Sequence, residues 1–163
     1  MAYSAVAVAN AFIQRAMDGK IPDLTPMKLQ KLMFYAQSWS LKIYDEELID
    51  DHFRKWQYGP VIQDLYFKLK DYGANQITRF ASVSNSYFDT AKDGDILFEV
   101  VEPHIPDSDS KSWVLIDKII NVYGSFSAVQ LSKMTHLPDT AWAKTKRIGD
   151  VMSSDLLKES IGK

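Results

Sequence analysis

The sequence predicts a mainly α-helical domain with a small antiparallel β hairpin or sheet inserted, and three observations predict it. Several stretches repeat apolar residues at helical spacing behind good N-caps. Between Asn75 and Val101 the pattern changes to short β-branched and aromatic pieces. The chain has 163 residues, 46% hydrophobic and 25% charged, which suits one core spanning residues 1–163 better than two.

Ser4 is a good cap for a first helix in which Val6, Ala9, Ile13 and Ala16 recur on one side, and Gly19 is placed to end it. Thr25 and Pro26 suit the N-cap and first position of a second helix, TPMKLQKLMFYAQSWSLKIY. Its apolar side carries Leu29, Leu32, Met33, Ala36, Ser40 and Ile43, with Phe34 and Trp39 also expected in the core. Lys28, Lys31, Tyr35, Ser38 and Lys42 fall on the other side, which is expected to face out as a basic, aromatic stripe. Taken singly the lysines read as ordinary solvated helix residues, and Tyr35 as the better contact residue.

In the next segment, HFRKWQY at residues 52–58 alternates bulky and polar groups like a short strand, with Phe53 and Trp56 inward. Gly59 then supplies a turn, Pro60 the first helical position, and Val61, Leu65, Leu69 and Tyr72 the apolar side of a helix ended by Gly73. Strand, turn, helix is the expected order. One glycine and a proline make a weak phosphate loop, since Pro60 has no N–H to give.

ITRF, SYF and ILFEVV read as strands of a small sheet, with a tight turn at KDG, residues 92–94. PHIPDSDS is a loop, after which Asp109 or Ser110 can cap a helix burying Trp113, Ile116, Ile119, Ile120 and Tyr123 up to Gly124. Ser127 caps a short helix through Met134, Thr140 begins another turn, and GDVMSSDLLKESIGK is a last short helix or a frayed tail.

Composition excludes several function classes. Net charge is -2 and pI about 5.9, so the chain lacks the overall basic field of nucleic-acid and membrane-surface binders. Without cysteine there are no disulfides, thiolate metal sites or cysteine nucleophiles. No segment is apolar over the roughly 20 residues a bilayer requires, and the N-terminal run reads as a helix and not a signal peptide. A soluble, cytoplasmic protein is expected. His52, His104 and His136 form no ligand pair, and neither a nucleophile elbow nor a nucleotide-binding glycine pattern is present. Asp45 and Glu46 read as a solvated turn, and His136 with Asp139 as a chance neighbourhood. The expectation is a non-enzyme with no catalytic residues, metal or cofactor.

LTPMKLQKLMFYAQSWSL at residues 24–41, FRKWQYGPVIQDLYFKLKDYG at 53–73 and QLSKMTHLPDTAW at 130–142 together resemble the SocA-like antitoxin family, also called the Panacea domain. The Leu-Gln-Lys-Leu core, the Trp-x-Tyr-Gly-Pro-Val step and the Leu-Ser-x-x-Thr-His ending occur in the same order and spacing. The chain departs from the usual pattern at residues 78–110, where the sheet-like insertion runs long, and near its polar end. The resemblance implies a bacterial or prophage antitoxin that neutralises a cognate toxin, encoded next door, by direct protein–protein binding. Because the toxins paired with this family differ in chemistry, it predicts the role and not the target.

Such a protein needs a rigid scaffold and a few exposed anchors. The candidate partner-binding residues are Lys31, Tyr35, Trp56, Tyr58, Gly59, Tyr66, His136 and Trp142, with burial the expected state of Trp56 and Trp142 and exposure that of Tyr58 and Gly59. The interface can instead lie on variable surface such as residues 78–95. Two alternatives remain: a helix-turn-helix DNA-binding regulator built on residues 113–136 with Lys144, Lys146 and Arg147 beyond, and an adaptor delivering a partner to a protease.

Overall fold

A computed structural model describes residues 2–89 and 95–163, so the expected turn at residues 92–94 lies outside the described residues. Helix α1 (Ala5–Met17) starts where Ser4 accepts from the Ala7 N–H. The second helix, α2 (Pro26–Tyr44), starts where Thr25 accepts from the Lys28 N–H, with Pro26 in its first turn. Both starts match the sequence pattern, because each cap closes within four residues. Strands β1 (Phe53–Trp56) and β2 (Gly59–Val61) follow, then α3 (Gln63–Leu69) extended by a 3-10 turn over Lys70–Tyr72. A hairpin of β3 (Val83–Asp89) and β4 (Asp95–Val101) precedes α4 (Ser110–Tyr123), capped by Asp109. Helices α5 (Ala128–Thr135) and α6 (Ala141–Lys144), strand β5 (Val151–Met152) and helix α7 (Ser154–Ser160) complete the chain.

The architecture is mainly α with small antiparallel sheets, as the sequence predicts. α2 lies at the centre, packed by α1, α4, α5, α7 and β2. A continuous apolar core joins Phe12 and Ile13 of α1, Leu29, Leu32 and Met33 of α2, Phe53, Leu65, Ile116 of α4, Leu131 and Leu157. Among the described residues no helix is long and apolar enough to cross a membrane.

Three buried amide side chains hold irregular segments onto this core. Gln30 donates to Ile62 O (3.0 Å) and accepts from the Ile62 N–H (2.9 Å). Gln37 accepts from the N–H groups of Leu48 and Ile49 and donates to Ile49 O. Asn10 donates to Ala81 O and Pro103 O and accepts from the Ala81 N–H. Each supplies partners that a neighbouring strand would otherwise offer, so backbone N–H groups such as that of Ile62 stay buried without loss.

Four expectations are corrected. First, Gly59 opens β2 and does not lead into a helix. Trp56 pairs with Gly59 across the β1–β2 ladder, which makes Gln57 and Tyr58 the turn. Pro60 is accommodated because β2 is an edge strand of the order β2-β1-β5. Second, most of the side of α2 expected to face out is covered: Lys28, Lys31, Tyr35 and Ser38 are buried and Lys42 is exposed as expected, whereas Ile43, assigned to the core, is exposed. The β1–β2 hairpin, α4 and α5 close over a face that periodicity marks as outer, and the lysine ends reach backbone carbonyls instead of water. Third, ITRF forms no strand; the Ile77 N–H donates to Leu24 O. Fourth, the terminal segment contributes β5 to β1 before its helix, a two-residue strand too short to show a period.

Candidate functional site

The turn joining β1 and β2 is gripped by its carbonyls. Trp142 Nε1 donates to Trp56 O (2.8 Å), His136 Nε2 meets Gln57 O (2.8 Å), and the Ser132 hydroxyl donates to Tyr58 O (2.6 Å). Three successive carbonyls of one tight turn therefore each receive a side chain from α5, its C-cap or α6. The other His136 nitrogen, Nδ1, lies 2.6 Å from Ser132 O, which fixes the ring from behind. Trp142 is held in turn: its ring packs on His136 at 3.8 Å between centroids, and Lys55 Nζ sits 4.1 Å over its centroid while donating to Thr145 O. A capping box of Ser127 and Gln130 sets the start of α5, and Thr140 caps α6, so local sequence orients the three gripping residues.

Beneath the turn, Gly59 has φ +125°, a conformation L side chains rarely adopt. A Cβ there would stand 2.4 Å from Lys31 Cε and 2.9 Å from Thr135 Oγ1, so the missing side chain lets the hairpin rest directly on α2 and α5. Lys31 is 1% exposed, and its Nζ donates to Pro60 O at 3.3 Å. Burial pushes its ammonium pKa down to about 8. Lys28 shifts the same way, since desolvation outweighs the attraction of Asp23, and it donates to Pro22 O.

On either side of the turn lies a groove, and Tyr58, 61% exposed, borders both. The larger, about 590 Å³, runs between α2 and α3 and is walled by Met27, Trp56, Leu65, Tyr66 and Ile148 with Lys31 also in its lining. The smaller, about 320 Å³, lies against Ser132, His136, Leu137 and Pro138. Trp56 and Tyr66 meet edge to face at 4.8 Å, and Tyr66 meets Phe67 likewise at 5.5 Å, so the aromatic wall of the larger groove holds its own shape.

The eight sequence candidates thus divide. Lys31, Trp56, Tyr58 and Tyr66 line the larger groove, and Gly59 forms the buried support under the turn, against its expected exposure. His136 lines the smaller groove, but it and Trp142, both half-buried, direct their polar atoms to the turn, so their first role is to hold it. Tyr35 does not belong with them. It stacks on Tyr123 at 4.0 Å inside the core, where burial, with Tyr123 adding to it, drives its hydroxyl well above the ordinary tyrosine range. Sequence reasoning missed Ser132, Phe67, Leu137 and Ile148; the first three lie within stretches it had marked, while Ile148 carries no signal beyond being apolar.

Neither ring nitrogen of His136 meets Asp139. Among the described residues, no group of three or more His, Asp or Glu is arranged to hold a metal ion. What the geometry supports is contact: an exposed tyrosine on a rigidly held turn, flanked by apolar grooves.

Comparison with curated proteins and with solved structures returned no match. The family described as antitoxin SocA-like, Panacea domain, matches residues 29–143. That span runs from the buried face of α2 through the β1–β2 turn to the α5 and α6 residues that grip it, and by this match the chain belongs to the SocA-like, Panacea-domain antitoxin family.

Proposed function

We propose that this chain is a cytoplasmic antitoxin that neutralises a toxin protein, encoded beside it, by binding it directly through the surface around Tyr58, without catalysis. The carrying observation is that turn: Tyr58 is 61% exposed, yet the carbonyls at positions 56, 57 and 58 are all held from below. A contact residue whose backbone is already fixed loses little further entropy when a partner arrives. Tyr66, Leu137 and Ile148 stand exposed along the two grooves that Tyr58 borders and supply the apolar area that surrounds an anchor.

The test is bacterial growth with the neighbouring reading frame induced, with and without this chain, and with Tyr58→Ala in its place. Arrest relieved by the parent protein and not by the variant is the expected result. A buried interface anchor supplies about 2–4 kcal/mol, on the order of 30-fold or more in affinity. A neighbour that is harmless, or arrest that this chain does not relieve, removes the antitoxin reading.

One observation favours a second surface. Ile96, Phe98 and Val100 alternate along β4 and are 57%, 76% and 71% exposed, an apolar stripe on one side of the hairpin. It adjoins the variable surface at residues 78–95 named from sequence as an alternative interface, and lies within the stretch, residues 78–110, that departs from the family pattern. Phe98→Asp in the same growth assay separates the two: loss of rescue in this variant alone moves the interface to the hairpin. The DNA-binding alternative is weakened by geometry, since α5 directs Ser132 inward to the β1–β2 turn, leaving it a poor recognition helix.

A further inference from the structure

We infer that the larger groove is a binding site for a small organic acid, a carboxylate carried on a flat apolar body, with the Lys31 ammonium as its counter-charge. This goes beyond toxin neutralisation and stands without it.

The groove has the size of a ligand site, about 590 Å³ against the several hundred Å³ usual for small molecules. Its walls are mostly apolar and aromatic, with Trp56 and Tyr66 both in the lining and meeting edge to face at 4.8 Å. Its charge is one-sided. Lys31 and Lys70 line it and no Asp or Glu does, although the chain as a whole is acidic.

Lys31 is the second, independent observation. An ammonium has three N–H donors. Among the described residues Nζ has one acceptor, Pro60 O, at the long distance of 3.3 Å, and no carboxylate pairs with it. Burying an unpaired charge is costly, and residues are seldom kept in that state when a methionine would fill the space. The hairpin is built to accommodate it, since Gly59 alone leaves room for the Lys31 chain. A carboxylate entering the groove supplies the missing acceptor and charge, while its apolar body displaces water from Trp56, Leu65 and Tyr66.

The probes are indole-3-acetate, its uncharged amide, and a short peptide ending in tryptophan with a free carboxylate, each titrated into the full chain by calorimetry and by Trp fluorescence. The expected result is that the acid binds at least 10-fold more tightly than the amide. Lys31→Met, checked by thermal unfolding, brings the acid down to the affinity of the amide. Tyr66→Ala, at a surface position that leaves the core intact, weakens acid and amide together. Equal binding of acid and amide by the parent protein, or no binding of the acid at millimolar concentration, overturns the inference. Binding of the peptide alone overturns it as well, by making the occupant the terminus of another protein. Rescue of growth plays no part in these readouts, so failure here and failure of the antitoxin reading are distinguishable.

Discussion

Replacing Gly59 by alanine adds one methyl group at the point where the hairpin, α2 and α5 converge, and the structure sets its cost. At φ +125° an L residue stores about 1–3 kcal/mol of backbone strain. The new Cβ meets Lys31 Cε at 2.4 Å, Thr135 Oγ1 at 2.9 Å and Lys31 Nζ at 3.1 Å. Lys31 is buried and cannot simply swing into water, so its movement stretches the bond to Pro60 O, and overpacking of this kind costs about 1–3 kcal/mol. The two contributions sum to about 4 kcal/mol at their midpoints, on the order of 10 °C in melting temperature for a chain of this size. Urea unfolding and circular-dichroism melting of Gly59→Ala measure it directly. Adding Lys31→Ala in that background should recover the packing part and leave the backbone part. A Gly59→Ala protein that melts within about 2 °C of the parent would refute the reasoning, because neither strain nor contact could then be as described.

Lys31→Glu, at a position that reads as a solvated helix residue in the sequence, should lower stability by about 3 kcal/mol or more, read from the urea midpoint, because it buries a carboxylate beside Pro60 O. Lys31 also gives a pH signature: with its folded value near 8 and its ordinary value 10.5, the unfolded chain holds more protons between them. Parent stability should therefore rise relative to Lys31→Met as pH increases across that window, with a slope approaching about 1.4 kcal/mol per unit, and urea titrations at pH 7.5, 9 and 10 test it. Gln30→Ala strands the buried Ile62 N–H, while Ile62 O keeps the Tyr66 N–H, and should cost about 1–3 kcal/mol by the same assay. Tyr58→Ala, at an exposed turn, should leave the melting curve within about 0.5 kcal/mol of the parent while abolishing rescue of growth.

Local chemistry was legible from the sequence alone. Ser4, Thr25, Ser127 and Thr140 cap the helices they were expected to cap, and Asp109, one of two candidates with Ser110, caps α4, because a cap is a bond between residues three apart. The mainly helical class followed from the same short-range patterns, and the family from the resemblance carried by residues 24–41, 53–73 and 130–142. What periodicity could not reveal was which helix face meets solvent, because that depends on what later packs there. Lys31 and Tyr35 look external on an isolated α2, and they are internal because a hairpin closes over one and α4 over the other. The Trp-x-Tyr-Gly-Pro-Val step and the segment from Ser132 to Trp142 were two separate motifs in the chain. Only the tertiary structure made them one, since a backbone carbonyl carries no side-chain identity by which sequence could announce its partner.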